Sequence, residues 1–280
     1  MASQTKVREM IAKNNAKKGG LSDKIVPIIL AIISAISILT TIAILFTLLT
    51  ETITFFTRVP LSKFFLSGTW NPTGSSPEFG IWALIIGTLK ITVIATIVAV
   101  PIGLGAAIYL NEYASDRSRR IIKPILEILA GIPTIVFGFF ALTFVTPILR
   151  NLIPNLGEFN SISPGIVVGI MIVPMITSMS EDAMSSVPDK IREGAFGLGA
   201  TKFEVATKVV LPAATSGVVA SIVLGISRAI GETMIVSLAA GSSPTSSLSL
   251  TSSIQTMTGY IVEIATGDAA FGSDIYYSIY

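Results

Sequence analysis

The 280-residue sequence contains no cysteine and no histidine, and only 13% of its residues are charged. The missing thiols and imidazoles exclude disulfide bonds, metal sites built on these ligands, and catalysis by histidine or cysteine. A soluble domain carries about 25% charged residues, so the shortage of charge argues against a water-exposed globular fold. With 51% hydrophobic residues, the composition predicts an integral membrane protein.

Five long apolar runs are the main feature of the chain. A helix needs about 20 apolar residues to cross the hydrocarbon core of a bilayer, and each run is long enough or nearly so. We therefore predict an all-α integral membrane protein with five spans. The runs are Ile25–Thr50, Phe79–Leu110, Pro124–Leu149, Pro164–Ser180 and Ala213–Gly241.

The second run is too long for one span. We expect its first residues to lie along the membrane interface, with Trp82 as an aromatic anchor, and the span to begin near Gly87. Lys90 would then lie near the membrane surface. Its side chain would either reach the headgroups or face a translocation path.

Lysine and arginine are distributed unevenly between the segments that flank the runs. Of the 19 lysines and arginines, 14 fall in segments on the N-terminal side of the membrane and only Arg58, Lys63 and Arg150 on the other. Positive charge marks the cytoplasmic side, so the N-terminus is predicted to be cytoplasmic. Residues 1–24 would be a cytoplasmic tail, 25–50 the first transmembrane helix and 51–80 an external loop.

The C-terminal stretch from Ser242 would then be external. It opens with a Ser/Thr-rich segment whose composition is typical of a flexible loop. Five spans leave the termini on opposite sides. The closing residues SDIYYSIY look like the start of a sixth helix. We therefore expect the chain to be truncated, or a fragment, at Tyr280.

The cytoplasmic segment 181–212 carries helix signals of its own. Pro188 suits a first helical turn, and Gly199 can take the left-handed conformation that ends a helix. Thr201 and Glu204 form a capping box for a second short helix. The pattern predicts two short helices joined at a glycine. Such a loop either lies on its own bundle or on the headgroups, or is a knob that another protein binds.

This segment resembles the signature of bacterial and archaeal ABC importer permeases, in which E-A-A precedes a glycine and an I-x-L-P at fixed distances. Every spacing is kept, although Gly194 replaces the central alanine and Val209 replaces the isoleucine. In that family the loop is the coupling helix that docks on an ATPase subunit. The resemblance assigns ATPase coupling to Glu193, Gly194, Ala195, Gly199, Leu211 and Pro212.

Further stretches resemble the phosphate importer permease, in particular its PstC-type subunit. They include LEILAGIPTIVFGFFAL, VPMITSMSEDAM and SRAIGETM, and the resemblance runs from about Trp70 to the C-terminus. It implies a type I ABC importer permease helix bundle over residues 82–280, with the last of six spans missing. Three alternatives stay open: the PstA-type partner subunit, a permease for molybdate, sulfate or another small solute, and a channel or secondary transporter.

The resemblance also implies what the chain works with. Such a permease is not an enzyme and binds no cofactor, because ATP and Mg²⁺ are used by a separate ATPase. The nearest approach to a phosphate-binding Walker loop, Gly194–Thr201, lacks the lysine that this loop needs. The expected partners are cytoplasmic ATPase subunits, a second permease, an external phosphate-binding protein and membrane lipids, but no nucleic acid. The expected location is the plasma membrane of a prokaryote.

One charged pair, Arg228 and Glu232, lies inside the fifth run. A charge at mid-bilayer costs about 2.5–3.5 kcal/mol, so something must offset or use it. On a continuous helix, residues four apart share a face and can form an intrahelical ion pair. Alternatively, both residues line the substrate path, where Arg228 binds phosphate oxygens and Glu232 competes for the guanidinium.

Overall fold

The computed structural model describes residues 21–267 and 269–280, which divide into two units. The first unit is built on helix α1, Leu21–Arg58. This helix continues past the predicted end at Thr50, because residues 51–58 contain no glycine or proline that would stop it. The predicted tail, residues 1–24, lies outside the described residues as far as Gly20.

The second unit, Val59–Ile279, begins with helix α2 and a short antiparallel hairpin of strands β1 and β2. In this hairpin Trp70 pairs with Phe79. The elements are α2 (Leu61–Leu66), β1 (Trp70–Asn71), β2 (Glu78–Phe79), α3 (Trp82–Ile108), α4 (Asp116–Gly131), α5 (Thr134–Phe140), α6 (Thr146–Leu152), α7 (Ile162–Ser185), α8 (Asp189–Gly197), α9 (Lys202–Glu204), α10 (Leu211–Ala213), α11 (Thr215–Ile230), α12 (Met234–Ala239), α13 (Met257–Thr266) and α14 (Asp274–Tyr277).

Three π-helical turns lengthen or join these helices. They extend α3, join α5 to α6, and join α9 to α10. They are Tyr109–Tyr113, Ala141–Val145 and Val205–Val210.

Within the described residues, four helices are long and apolar enough to cross a membrane. They are Ile25–Arg58, Trp82–Tyr113, Thr134–Leu152 and Ile162–Ser185. A fifth candidate is a pair of helices, Lys202–Ala213 and Thr215–Ile230, bent by 76°. The prediction of an all-α, multi-pass membrane protein is confirmed, with five spans if the bent pair counts as one.

The second and third spans differ from the prediction at their starts. Helix α3 is continuous from Trp82, and Leu84 is already buried in the bundle, so no separate interfacial stretch precedes Gly87. The third predicted run is divided by Pro133, which lacks the N–H that would continue helix α4. The span therefore begins at Thr134.

Helices α3 and α7 form the centre of the second unit, and α11 packs against both. Small residues allow this close approach, as is typical of membrane bundles. At Gly169 on α7, an added Cβ would lie 2.8 Å from Cβ of Val98 and 2.9 Å from the carbonyl oxygen of Ala95. At Gly169, helix α7 therefore packs directly against the backbone of α3.

The Ser/Thr-rich segment is pinned to this centre. Lys90 is only 7% exposed, and its Nζ donates hydrogen bonds to the carbonyl oxygens of Ser247 and, at 2.9 Å, Ser249. The hydroxyl of Ser161 donates to the carbonyl of Leu250 at 2.8 Å. The Lys90 side chain is thus buried under this segment and holds it in place, so the segment is anchored where composition predicted a flexible loop.

The α3–α7 contact gives a test of the fold. We expect Gly169→Ala to destabilise the protein by about 1–3 kcal/mol, because the new methyl group overpacks the contact. The matched control is Gly105→Ala on α3, where an added Cβ meets no atom within 4 Å. Thermal unfolding of the purified protein in detergent measures both, and equal midpoints for the two variants would contradict the packing.

Candidate functional site

The fifth predicted run is not a continuous helix. Helix α11 ends at Ile230, and α12 starts at Met234, where the buried carboxylate of Glu232 accepts from its first N–H groups. Its Oε1 accepts hydrogen bonds from the backbone N–H groups of Met234 at 3.1 Å and Ile235 at 3.3 Å. Glycine costs about 1 kcal/mol in a helix interior, so Gly231 is a weak point at which this cap can break the helix.

The break separates Arg228 from Glu232. The expectation that both lie on one helical face is wrong, and the intrahelical ion pair is not formed. Within residues 21–267 and 269–280, no hydrogen bond or ion pair joins the Arg228 guanidinium to another group.

Arg228 instead lines an open cavity of about 260 Å³ between helices α4, α7 and α11, and the arginine is itself exposed. The other polar residues of its lining are Glu127 on α4 and Ser178 on α7. The apolar part includes three methionines of α7. They are Met171, Met175 and Met179.

Glu127 follows a cluster of cations in the sequence, so its neighbours alone give no sign that it lines a cavity. Lys123, four residues earlier, pairs with the buried Glu181 of α7 at 2.7 Å. The guanidinium of Arg119 donates to the backbone carbonyls of Leu110 and Asn111, both at 2.8 Å. Lys123 and Arg119 thus serve other groups, and within the described chain no ion pair or hydrogen bond engages Glu127.

The segment 181–212 forms the two short helices that the sequence predicts. Helix α8 ends before Gly199, which has a φ of +85°, the left-handed conformation that favours glycine. The capping box is present, because Glu204 N–H donates to Thr201 Oγ1 at 3.3 Å and Thr201 N–H donates to Glu204 Oε2 at 3.1 Å. These local signals are confirmed.

The residues assigned to ATPase coupling divide by exposure. Ala195 and Leu211 are half-buried and pack against the apolar cluster below the loop. The exposed members are Glu193, Gly194, Gly199 and Pro212.

Three large apolar side chains beside them were not predicted to contribute. Phe196, Leu198 and Phe203 are 42%, 91% and 67% exposed. These three positions are not part of the motif that predicted the coupling residues. The loop thus presents glycine backbone and exposed apolar groups on one short stretch.

Arg192 fastens α8 to the ends of α3 and α7. Its guanidinium donates to the carbonyls of Met184 at 2.7 Å and Val187 at 2.9 Å, and to Asn111 Oδ1 at 3.2 Å. Its Nε lies 3.3 Å from Glu112 Oε1. Because both side chains of this ion pair are largely buried, a displacement of α8 will pull on both membrane helices.

We expect Arg192→Gln to destabilise the protein by roughly 3 kcal/mol, because it leaves the Glu112 carboxylate buried without its partner. Lys208→Gln on the same loop is the control. It breaks a solvent-exposed pair with Glu204, and such pairs contribute little to stability. Thermal unfolding and protease sensitivity of the loop measure the difference. A loss of stability no larger than that of the control would contradict this role of Arg192.

Residues 99–275 match the family described as binding-protein-dependent transport system inner membrane component. The matched range contains the cavity and the loop 181–212.

Three relatives have curated names. The probable ABC transporter permease protein YqgH of Bacillus subtilis is 36% identical over 75% of this chain and 68% of its own. The phosphate transport system permease proteins PstC of Haemophilus influenzae and Pasteurella multocida are 37% and 38% identical. Their matches cover 65% and 64% of this chain, but only 63% and 61% of those proteins. The chain thus spans about two thirds or less of these relatives.

A solved structure of the MetNI methionine ABC transporter in an inward-facing conformation overlaps with 54% of this chain and 68% of that chain. The identity is 21% and the TM-score 0.43. An overlap this weak carries no argument about the site.

Proposed function

The chain belongs to the family of binding-protein-dependent transport system inner membrane components, and we propose that it is the permease subunit of an ATP-driven importer of inorganic phosphate. The names of the relatives, which include PstC proteins of phosphate transport systems, support the substrate. On this proposal the chain is not an enzyme. ATP hydrolysis falls to a separate subunit that binds the nucleotide and Mg²⁺.

The observation that carries the proposal is an arginine in a cavity without a protein partner in the described chain. Guanidinium is always charged, and its planar donors match two oxygens of a phosphate group. Arg228 is exposed at the mouth of the cavity beside the methionines of α7, so an anion can reach its guanidinium directly. Arg228 is therefore proposed to bind the phosphate on its way through the bundle.

Glu232 supplies the release step of this proposal. It now caps helix α12, one residue beyond Gly231. If the helix extended through Gly231, Arg228 and Glu232 would stand four residues apart on one face. Glu232 would then compete for the guanidinium and free the anion. Both residues are thus proposed to line the substrate path.

Coupling to ATP is proposed to run through the loop 181–212. Its exposed glycines and apolar groups suit close docking in a groove of an ATPase subunit. ATP binding would close the ATPase pair and shift α8. Arg192 would pass that shift to α3 and α7, and so turn the cavity outward.

The remaining partners and the orientation follow from the same proposal. A second permease completes the path, and an external phosphate-binding protein delivers the anion. The excess of lysine and arginine in the segments on one side supports a cytoplasmic N-terminus in the plasma membrane of a prokaryote. The competing assignments are a PstA-type subunit and a permease for sulfate or molybdate.

Arg228 gives the first test of this proposal. We expect Arg228→Gln to reduce uptake of labelled phosphate by the intact importer at least about 100-fold, because a charge-assisted bidentate contact contributes about 3 kcal/mol. The double variant with Glu232→Gln should insert normally and stay inactive. Arg150→Gln, which removes an exposed charge outside the cavity, is the control and should transport normally.

Uptake and expression are measured together for all variants. Recovery of uptake in the neutral double variant would show that the two charges only balance each other, and would refute the substrate-path assignment.

The coupling loop gives a second test. Gly194 lies in the regular helix α8, and an added Cβ there meets no atom within 4 Å. Gly194→Glu should therefore leave this chain folded. It should abolish co-purification of the ATPase, because the new carboxylate would be buried unpaired in the groove. Gly199 is less suitable, since its left-handed φ makes any side chain strained.

The matched control is Gly68→Glu in the external loop, where an added Cβ also has open space. It should leave ATPase co-purification unchanged. Wild-type amounts of ATPase bound to the Gly194→Glu variant would rule out this face as the docking surface.

A further inference from the structure

The cavity that holds Arg228 also holds a carboxylate, and the two groups do not neutralise each other. Glu127 and Arg228 line the same space of about 260 Å³, yet they form no ion pair within 4.0 Å. A water molecule takes about 30 Å³ in the liquid. The open cavity that both exposed residues line is therefore large enough for a small oxyanion.

The surrounding structure keeps Glu127 available. Lys123 is the cation four residues before it on α4, but this lysine pairs with Glu181. Arg119 is engaged by two backbone carbonyls. Of the described residues, the only other polar member of the lining is Ser178, whose hydroxyl can donate or accept.

A cavity with one cation and one carboxylate suits a ligand that both accepts and donates hydrogen bonds. The guanidinium can only donate, and an ionised carboxylate can only accept. Phosphate retains at least one proton in the physiological pH range, so its P–O⁻ oxygens can accept from Arg228 while its P–OH donates to Glu127. Sulfate has no such proton, and its oxygens would face the carboxylate with like charge.

We infer that Glu127 is a specificity-determining residue that selects oxyanions still carrying a proton. The inference rests on the proposed function of Arg228 and adds the class of anion that the cavity accepts. Phosphate and arsenate belong to this class, whereas sulfate and molybdate, which are unprotonated at neutral pH, do not.

The test is anion binding to the purified importer complex, without its external binding protein, so that selectivity arises in the membrane subunits. Equilibrium dialysis with labelled phosphate is competed by unlabelled phosphate, arsenate, sulfate or molybdate at neutral pH. In the wild type, arsenate should compete about as well as phosphate. Sulfate and molybdate should be weaker by about tenfold or more, the size expected for one charge-assisted hydrogen bond.

Glu127→Gln should bring sulfate and molybdate to within about threefold of phosphate. The amide removes the negative charge and can donate to any oxyanion. Glu127→Asp, which keeps the carboxylate, should restore most of the discrimination. Glu158→Gln, which removes an exposed carboxylate outside the cavity, should leave all four competition curves unchanged.

The outcomes separate this inference from the proposed function. Failure of the wild type to bind phosphate, or unchanged binding in Arg228→Gln, would refute the phosphate path and this inference with it. If phosphate binding depends on Arg228 but Glu127→Gln keeps the wild-type preference over sulfate, only the role of Glu127 is overturned. A wild-type complex that binds sulfate as well as phosphate overturns it too.

Discussion

A charge inside a membrane bundle must be neutralised or hydrogen-bonded by the protein, because the hydrocarbon core offers no water to do so. Three charges buried in the second unit obey this constraint in different ways. Lys90 donates to carbonyls of the Ser/Thr-rich segment, Glu181 pairs with Lys123, and Glu232 caps helix α12. The contacts of Lys90 and Glu181 each join two separate segments of the chain, whereas the cap made by Glu232 is local. For Lys90 and Glu181, satisfying the charge therefore also helps to assemble the bundle.

The same constraint distinguishes the cavity from the rest of the bundle. Unlike the three charges above, Arg228 and Glu127 line one cavity without pairing to each other or to another described residue. Opposite charges held apart at one open cavity suit a ligand that carries both an acceptor and a donor. The break of the helix at Gly231 maintains this state, because it removes Glu232 from the face that Arg228 occupies. On the proposed function, substrate binding and helix continuity would be linked through one carboxylate.

Local signals in the sequence were reliable guides to local structure. The capping box of Thr201 and Glu204 and the left-handed Gly199 lie where the pattern predicts them, because such motifs depend on residues within one or two helical turns. The ends of the spans were less predictable. Hydropathy averages over many residues, so it did not register that Pro133 divides the third run or that Gly231 divides the fifth.

The sequence by itself determined the membrane environment, the helical class and the form of the loop 181–212, because hydropathy and capping act over short stretches of chain. Only the tertiary structure decided which charges meet. Lys123 has a carboxylate one turn away at Glu127, yet it pairs with Glu181 on another helix. Alternatives of this kind differ by about 1 kcal/mol locally. Packing of α4 against α7 chooses between them, because burying Glu181 unpaired would cost several times more.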